Sequence, residues 1–222
     1  MLFRSDVNYA LNYTPKIKDK YTVYSSLLIN TQANLVSKNS ERLGSFLLAN
    51  QREIETVDVN LDAVNLRNTE IKIPTRYTVG LGFGQDRSWL LGAEYSTQQF
   101  SDFQNIFLAQ TNVEYQDAST IAFGGYWVPD YTPLASYFKW VTYRAGLRYD
   151  MTGLVVTDKE INNFGINFGL GLPLPNSFSN LNLGFELGRR GTTDQSLIEE
   201  SYLNISVGLS LNARWFEKRK IN

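Results

Sequence analysis

The sequence predicts an all-β protein, a transmembrane antiparallel β-barrel, on three observations. Apolar and small polar residues alternate with period two through most of the 222 residues, as strands with two unlike faces require. The face opposite the large apolar side chains is Gly, Asn and Ser, where a water-exposed strand face would carry Thr, Lys and Glu. The apolar face ends in Tyr or Trp, the residues that sit at bilayer interfaces.

Composition agrees with this reading. Hydrophobic residues make up 43%, aromatics 14% and charged residues 19% of the chain, yet the mean hydropathy is only −0.26. No apolar run of about 18 residues, the length a helical span needs, is present.

Taken in chain order, residues 5–13 and 20–33 read as the first two strands, joined by TPKIKD at 14–19. Residues 34–72 form a long outer excursion with room for a hairpin of its own. The run YTVGLGFGQDRSWLLGAEY at 77–95 is the clearest hairpin. Tyr77, Val79, Leu81 and Phe83 alternate with Thr78, Gly80, Gly82 and Gly84. Gln85-Asp86-Arg87 turns the chain, and Trp89, Leu91, Ala93 and Tyr95 return. The strands on either side of this turn are 73–84 and 88–99.

Residues 106–128 read as one long strand with a bulge, and 129–136 as an inner turn. Strands then follow at 137–150, 164–172, 181–190 and 201–216. Outer loops at 151–162 and 189–200 and an inner turn at 173–179 join them. That makes nine strands, about one more or fewer than an even-numbered bacterial barrel allows. MLFRSDVNYALNY lacks a basic region followed by an apolar stretch. The expectation is therefore that residues 1–222 form the C-terminal part of a single longer barrel.

The same residues exclude several activities. There is no cysteine and no histidine, which removes thiol nucleophiles, His-based triads and Cys or His zinc sites. No paired Asp/Glu constellation replaces them, so neither catalysis nor a cofactor or metal is expected. A net charge of −1 and a pI near 5.6 give no basic surface for nucleic acid. The glycines at 80, 82 and 84 do not form a phosphate loop, because Gln85 stands where G-x-G-x-x-G needs glycine and a strand, not a helix, follows.

Glu94, Arg144, Arg148, Asp150, Glu186, Arg190 and Arg214 fall on the predicted lumen face. They can form a polar ladder for a ligand's head group, or simply pair with one another in a wet lumen. Tyr77, Trp89, Tyr95, Trp127, Tyr137 and Trp215 fall on the apolar face near strand ends, as membrane-interface anchors.

IKIPTRYTVGLGFGQDRSWLLGAEYS, YRAGLRYD at 143–150 and FGINFGLGLPLP at 164–175 resemble strand and turn segments of the FadL/OMPP1/TodX outer-membrane transporters, in the form found in Bacteroidetes. NISVGLSLNARWF resembles a barrel's C-terminal signal to the barrel-assembly machinery, although EKRKIN follows it. The resemblance implies a barrel of about 14 strands in the outer membrane of a Gram-negative cell. It also implies passive uptake of hydrophobic, fatty-acid-like small molecules, with the lipid bilayer and an apolar ligand as partners. The alternative is a secretion-associated or structural barrel that binds partner proteins through its outer loops, for which the charged segments 34–72 and 189–200 are suited.

Overall fold

The computed structural model describes residues 7–47, 52–103, 112–130, 132, 136–174 and 179–211. Its elements, in chain order, are β1 (Asn8–Tyr13), β2 (Lys16–Ile17), β3 (Tyr21–Asn30), β4 (Ala33–Lys38) and β5 (Arg42–Leu47). Then come β6 (Arg52–Asp58), β7 (Asn68–Ile73), β8 (Arg76–Gln85), β9 (Trp89–Gln98), β10 (Val113–Tyr115) and β11 (Ala118–Trp127). A helical turn, α1 (Tyr137–Trp140), precedes β12 (Thr142–Val156), β13 (Lys159–Pro173), β14 (Asn180–Gly191) and β15 (Glu199–Ser210).

One antiparallel sheet dominates, in the order β1-β3-β8-β9-β11-β12-β13-β14-β15, with β2 added beside β3 and β10 beside β12. The nine strands of this path lie where alternation places them. Among the described residues β1 and β15 remain the edges of the sheet and do not pair with each other. What the structure gives is thus an all-β antiparallel sheet.

Three boundaries differ from expectation. The 151–162 loop is a two-residue turn, Thr157 and Asp158, both at positive φ (50° and 62°). This is the type I′ geometry that suits strand twist, and it lets β12 and β13 run on to Val156 and Lys159. The loop after β14 shrinks to residues 192–198 because β14 and β15 pair as far as Gly191 and Glu199. The strand expected at 106–128 shows its bulge, since the register against β12 shifts by one residue across 116–117. β10 and β11 both pair with β12, on either side of residues 116–117, while 104–111 lie outside the described residues.

Tyr137 starts no strand. It opens α1, which local hydrogen bonds stabilise: Trp140 Nε1 donates to the Thr132 carbonyl (2.7 Å), and the Asp130 amide to the Lys139 carbonyl (3.1 Å). Alternation cannot distinguish four aromatic and basic residues, YFKW, in a helical turn from the same residues in a strand.

The 34–72 excursion is a continuation of the β3–β8 hairpin. Asn30 faces Arg76, and Ala33 faces Ile73 in the same register, so β4–β7 prolongs the ladder. Beyond Lys38–Asn68 the register breaks. Residues 39–41 on one side face the longer 59–67 on the other before β5–β6 resumes pairing at Arg42–Asp58.

Cross-strand rows define the two faces. One row runs Leu81, Ala93, Phe123, Leu147, Ile166, Leu187, Leu203 across seven strands. Its large members are open: Leu81 is 63% exposed, Phe123 53% and Leu203 58%. Among the described residues the buried apolar side chains are Ala33, Leu61, Val128, Val141 and Val155. Among the described residues the sheet therefore holds its apolar side chains on an open face, with no enclosed core beneath.

Candidate functional site

The opposite face is small and polar, and it carries the chemistry. Gly82, Gly92, Gly124 and Gly146 stand directly opposite one another across β8, β9, β11 and β12. Tyr24 flanks this row on β3 and Asn167 on β13. The missing side chains leave a hollow of about 780 Å³, bordered by Asn12, Tyr24, Glu94 and Asn167. Glu94 faces Gly80 on one side and Ala122 on the other, so neither neighbouring strand offers it a cation.

Beside the hollow, β12 to β15 bring together a closed ring of polar side chains. Arg148 Nη2 donates to Glu186 Oε1 at 2.8 Å, a charge-assisted bond. Arg148 Nε lies 3.2 Å from Asp150 Oδ2, close enough to attract but out of line for a hydrogen bond. Asn163 Nδ2 donates to Asp150 Oδ2 (3.0 Å), and the Tyr202 hydroxyl donates to Asn163 Oδ1 (2.9 Å). The same hydroxyl lies 3.4 Å from Glu186 Oε1, and Asn204 Nδ2 donates to Glu186 Oε2 at 3.3 Å.

The glycines on this face make the ring possible. Gly188 stands opposite Tyr202, and a Cβ at 188 would fall within the Tyr202 ring. A Cβ at Gly165, between Arg148 and Gly188 in the same row, would come within 3.0 Å of Glu186 Oε1. Backbone without side chains is what lets Arg148 on β12 reach over β13 to Glu186 on β14.

The expected ladder is thus partly assembled. Arg148, Asp150 and Glu186 meet; Arg144 instead donates to Asn182 Oδ1 (3.2 Å) over Gly169 and Gly171. Arg190 lies in the row of Asp150, between Asn163 and Glu200, outside the ring, and Glu94 borders the hollow. Arg214 lies outside the described residues. Tyr202, Asn163 and Asn204 complete the ring and escaped the sequence reading. Tyr202 was legible in principle, since it precedes Asn204, Ser206, Gly208 and Ser210 at the same parity.

A second cluster ties the β2–β3 end to the β8–β9 turn. Asp86 accepts from Thr22 Oγ1 (3.0 Å) and the Tyr24 hydroxyl (3.2 Å), with Lys16 Nζ at 3.6 Å. The Thr22 and Tyr24 hydrogen bonds, then the Lys16 charge, hold the Asp86 carboxyl below its ordinary value.

On the apolar face, Trp89, Trp127 and Tyr143 form one cross-strand row, with the Trp127 and Tyr143 rings 6.1 Å apart. Phe83 packs edge-on against Trp89 at 5.6 Å. Tyr95 and Tyr149 flank Ile121 in a second row. Six residues along the strand separate the two rows, about 20 Å. Tyr77 lies one alternation beyond, opposite Ile29 and Thr97. Tyr137, in α1, belongs to neither row, and Trp215 lies outside the described residues.

No helix among the described residues is long and apolar enough to cross a membrane. No curated protein matches the chain. The BamG family model matches it over residues 2–222. The chain belongs to the BamG family.

That membership overturns the expected FadL/OMPP1/TodX assignment, because BamG is a family of its own. With the assignment goes what depended on it: porin-like transport and the uptake of fatty-acid-like compounds. The physical reason is that the quoted segments are strand and turn chemistry. A BamG-family sheet with a lipophilic face, a glycine face and a tight turn at 85–87 meets the same local demands as a FadL-type one. Such segments report the kind of sheet and carry no signature of what the sheet does.

Proposed function

We infer that this BamG-family chain is an outer-membrane protein that works with the barrel-assembly machinery in the assembly of outer-membrane proteins. Its role is that of a non-enzymatic subunit. The observation that carries this reading is the family match over residues 2–222. The structure supports its membrane half. A face with Leu81, Phe123, Leu187 and Leu203 about half or more exposed is costly in water, and a lipid phase would cover it. The Trp and Tyr side chains of the two aromatic rows are residue types that sit at the interfaces of an outer-membrane barrel wall.

On this reading the apolar face looks at lipid, and the glycine face with its polar ring looks into a barrel interior. The test is affinity purification of the full chain from outer membranes, together with its depletion in cells. Co-purification of barrel-assembly subunits and a fall in folded outer-membrane proteins on depletion are expected. Normal outer-membrane protein levels after depletion, with no assembly subunit retained, would overturn it.

A further inference from the structure

The hairpin at the tip of the β3–β8 ladder has no sheet to lie on. Among the described residues β5 and β6 pair only with each other, and a lone two-stranded ribbon is marginal in water. Its apolar side chains are open: Leu43 is 63% exposed, Ile54 62% and Val57 58%, and Leu43 stands directly opposite Val57.

The base of the ribbon, by contrast, is firmly built. Leu61, in the 59–67 segment, is only 2% exposed. Asn39 Nδ2 donates to the Leu66 carbonyl (2.8 Å) and to Thr69 Oγ1 (2.9 Å), and Arg67 Nε pairs with Asp62 at 2.7 Å. The Asn39 amide donates to the Arg67 carbonyl (2.7 Å), and the Val59 amide to the Glu41 carbonyl (3.0 Å), so both sides of the register break are pinned. A secured base that carries an apolar, unpaired ribbon is the arrangement of an element presented for contact.

Charge selects the kind of contact. Residues 41–58 contain Glu41, Glu53, Glu55 and Asp58 against Arg42 and Arg52, four acids to two arginines, a net −2. Asp58 is paired with Arg42 at 2.9 Å, which leaves the other acids to set the local field. That field disfavours an anionic lipid surface and disfavours the same ribbon on a second copy. We propose that the β5–β6 ribbon docks a partner protein whose surface offers an apolar groove rimmed by Lys and Arg. This rests on the reading that the chain works within a protein assembly, and it names the surface and the partner's chemistry.

The test places a photo-crosslinking residue at Ile54 in the full chain in its native outer membrane, with the crosslinked peptide identified by mass spectrometry. The expected product joins position 54 to an assembly subunit at apolar residues flanked by Lys or Arg. Glu53→Lys with Glu55→Lys lowers its yield roughly tenfold at low salt, and less at high salt. Leu43→Ser with Val57→Ser lowers it at every salt concentration. The β-sheet circular dichroism signal of each variant reports that the sheet still folds. Crosslinks only to lipid or to a second copy, or an undiminished yield in the charge-reversed variant, overturn the proposal. If ribbon variants lose no crosslink while the chain still co-purifies with the machinery, the inference fails and the functional reading stands. If the unsubstituted chain does not co-purify, both fail.

Discussion

Gly188→Ala isolates the geometry on which the polar ring depends. An added Cβ at 188 falls within the Tyr202 ring, so Tyr202 must swing away from Asn163 Oδ1, now 2.9 Å from its hydroxyl. Losing that hydrogen bond costs about 0.5–1.5 kcal/mol, and forcing a side chain into occupied space about 1–3 kcal/mol. Replacing glycine in a strand returns about 0.5–1 kcal/mol. The net is a destabilisation of roughly 0.5–4 kcal/mol, centred near 2. The control is Gly208→Ala on the same face, where the nearest heavy atom is Asn182 Cβ at 3.9 Å. It has no clash to offset the glycine gain and should be neutral or slightly stabilising. Urea unfolding in detergent micelles measures both, and a cycle with Tyr202→Ala isolates the contact. In the Tyr202→Ala background Gly188→Ala should lose its cost. The reasoning is refuted if Gly188→Ala behaves like Gly208→Ala, or if its cost persists once Tyr202 is gone.

Other outcomes follow from the same contacts. Arg148→Met leaves Asp150 and Glu186 without their shared cation. Because the Arg148 side chain is 41% exposed, solvent screening holds the expected loss to about 1–2 kcal/mol, read by the same unfolding assay and smaller in Glu186→Gln. The lowered Asp86 carboxyl contributes stability that is present above its unfolded value of about 4 and is lost as pH falls further, through the folded value. Asp86→Asn should therefore lower stability at neutral pH, where the carboxylate contributes, and flatten the acid limb of the stability profile below about pH 4, where the two proteins converge. Phe123→Lys, in the middle of the apolar face, should cost about 2–4 kcal/mol in a bilayer but far less in urea-softened aqueous conditions. Equal costs in both would argue against lipid contact. Leu61→Ala should cost about 2–5 kcal/mol at the base of the ribbon, with proteolysis appearing first between residues 39 and 67.

Alternation carried the sheet because each strand here faces two unlike surroundings. The row from Leu81 to Leu203 and the glycine row from Gly82 to Gly146 are both legible one strand at a time. What alternation could not carry is register and side-chain reach. That Arg148 meets Glu186 depends on how β12, β13 and β14 align and on Gly165 lying between them. Neither fact is local to any one strand. α1 escaped because four residues are too few to display a helical period. The Thr157–Asp158 turn escaped because neither residue is a glycine, although both take positive φ.

The failure of the transporter assignment has a specific physical source. A strand with lipid on one face and a crowded interior on the other must be large and apolar at one parity and small or polar at the other, whatever the barrel does. Residues 77–95 satisfy that demand and add a three-residue turn, so they resemble any wall of this kind. The residues that could differ with function lie where the wall imposes no pattern, in the ring around Arg148 and on the β5–β6 ribbon. In the ring, Arg148 and Glu186 are held by neighbours at 2.8–3.4 Å, which leaves few free donors to recognise a transported head group. On the ribbon, Leu43, Ile54 and Val57 are more than half exposed, and Leu43 and Val57 face only each other across the pair. The ring's donors are therefore largely engaged with one another, while part of the open apolar surface outside the main sheet lies on the hairpin ribbon, with more at Phe138 and Ile198. Open apolar side chains on a hairpin that pairs only with itself among the described residues suit contact with another protein, and a polar ring closed on itself offers few free donors to a passing head group.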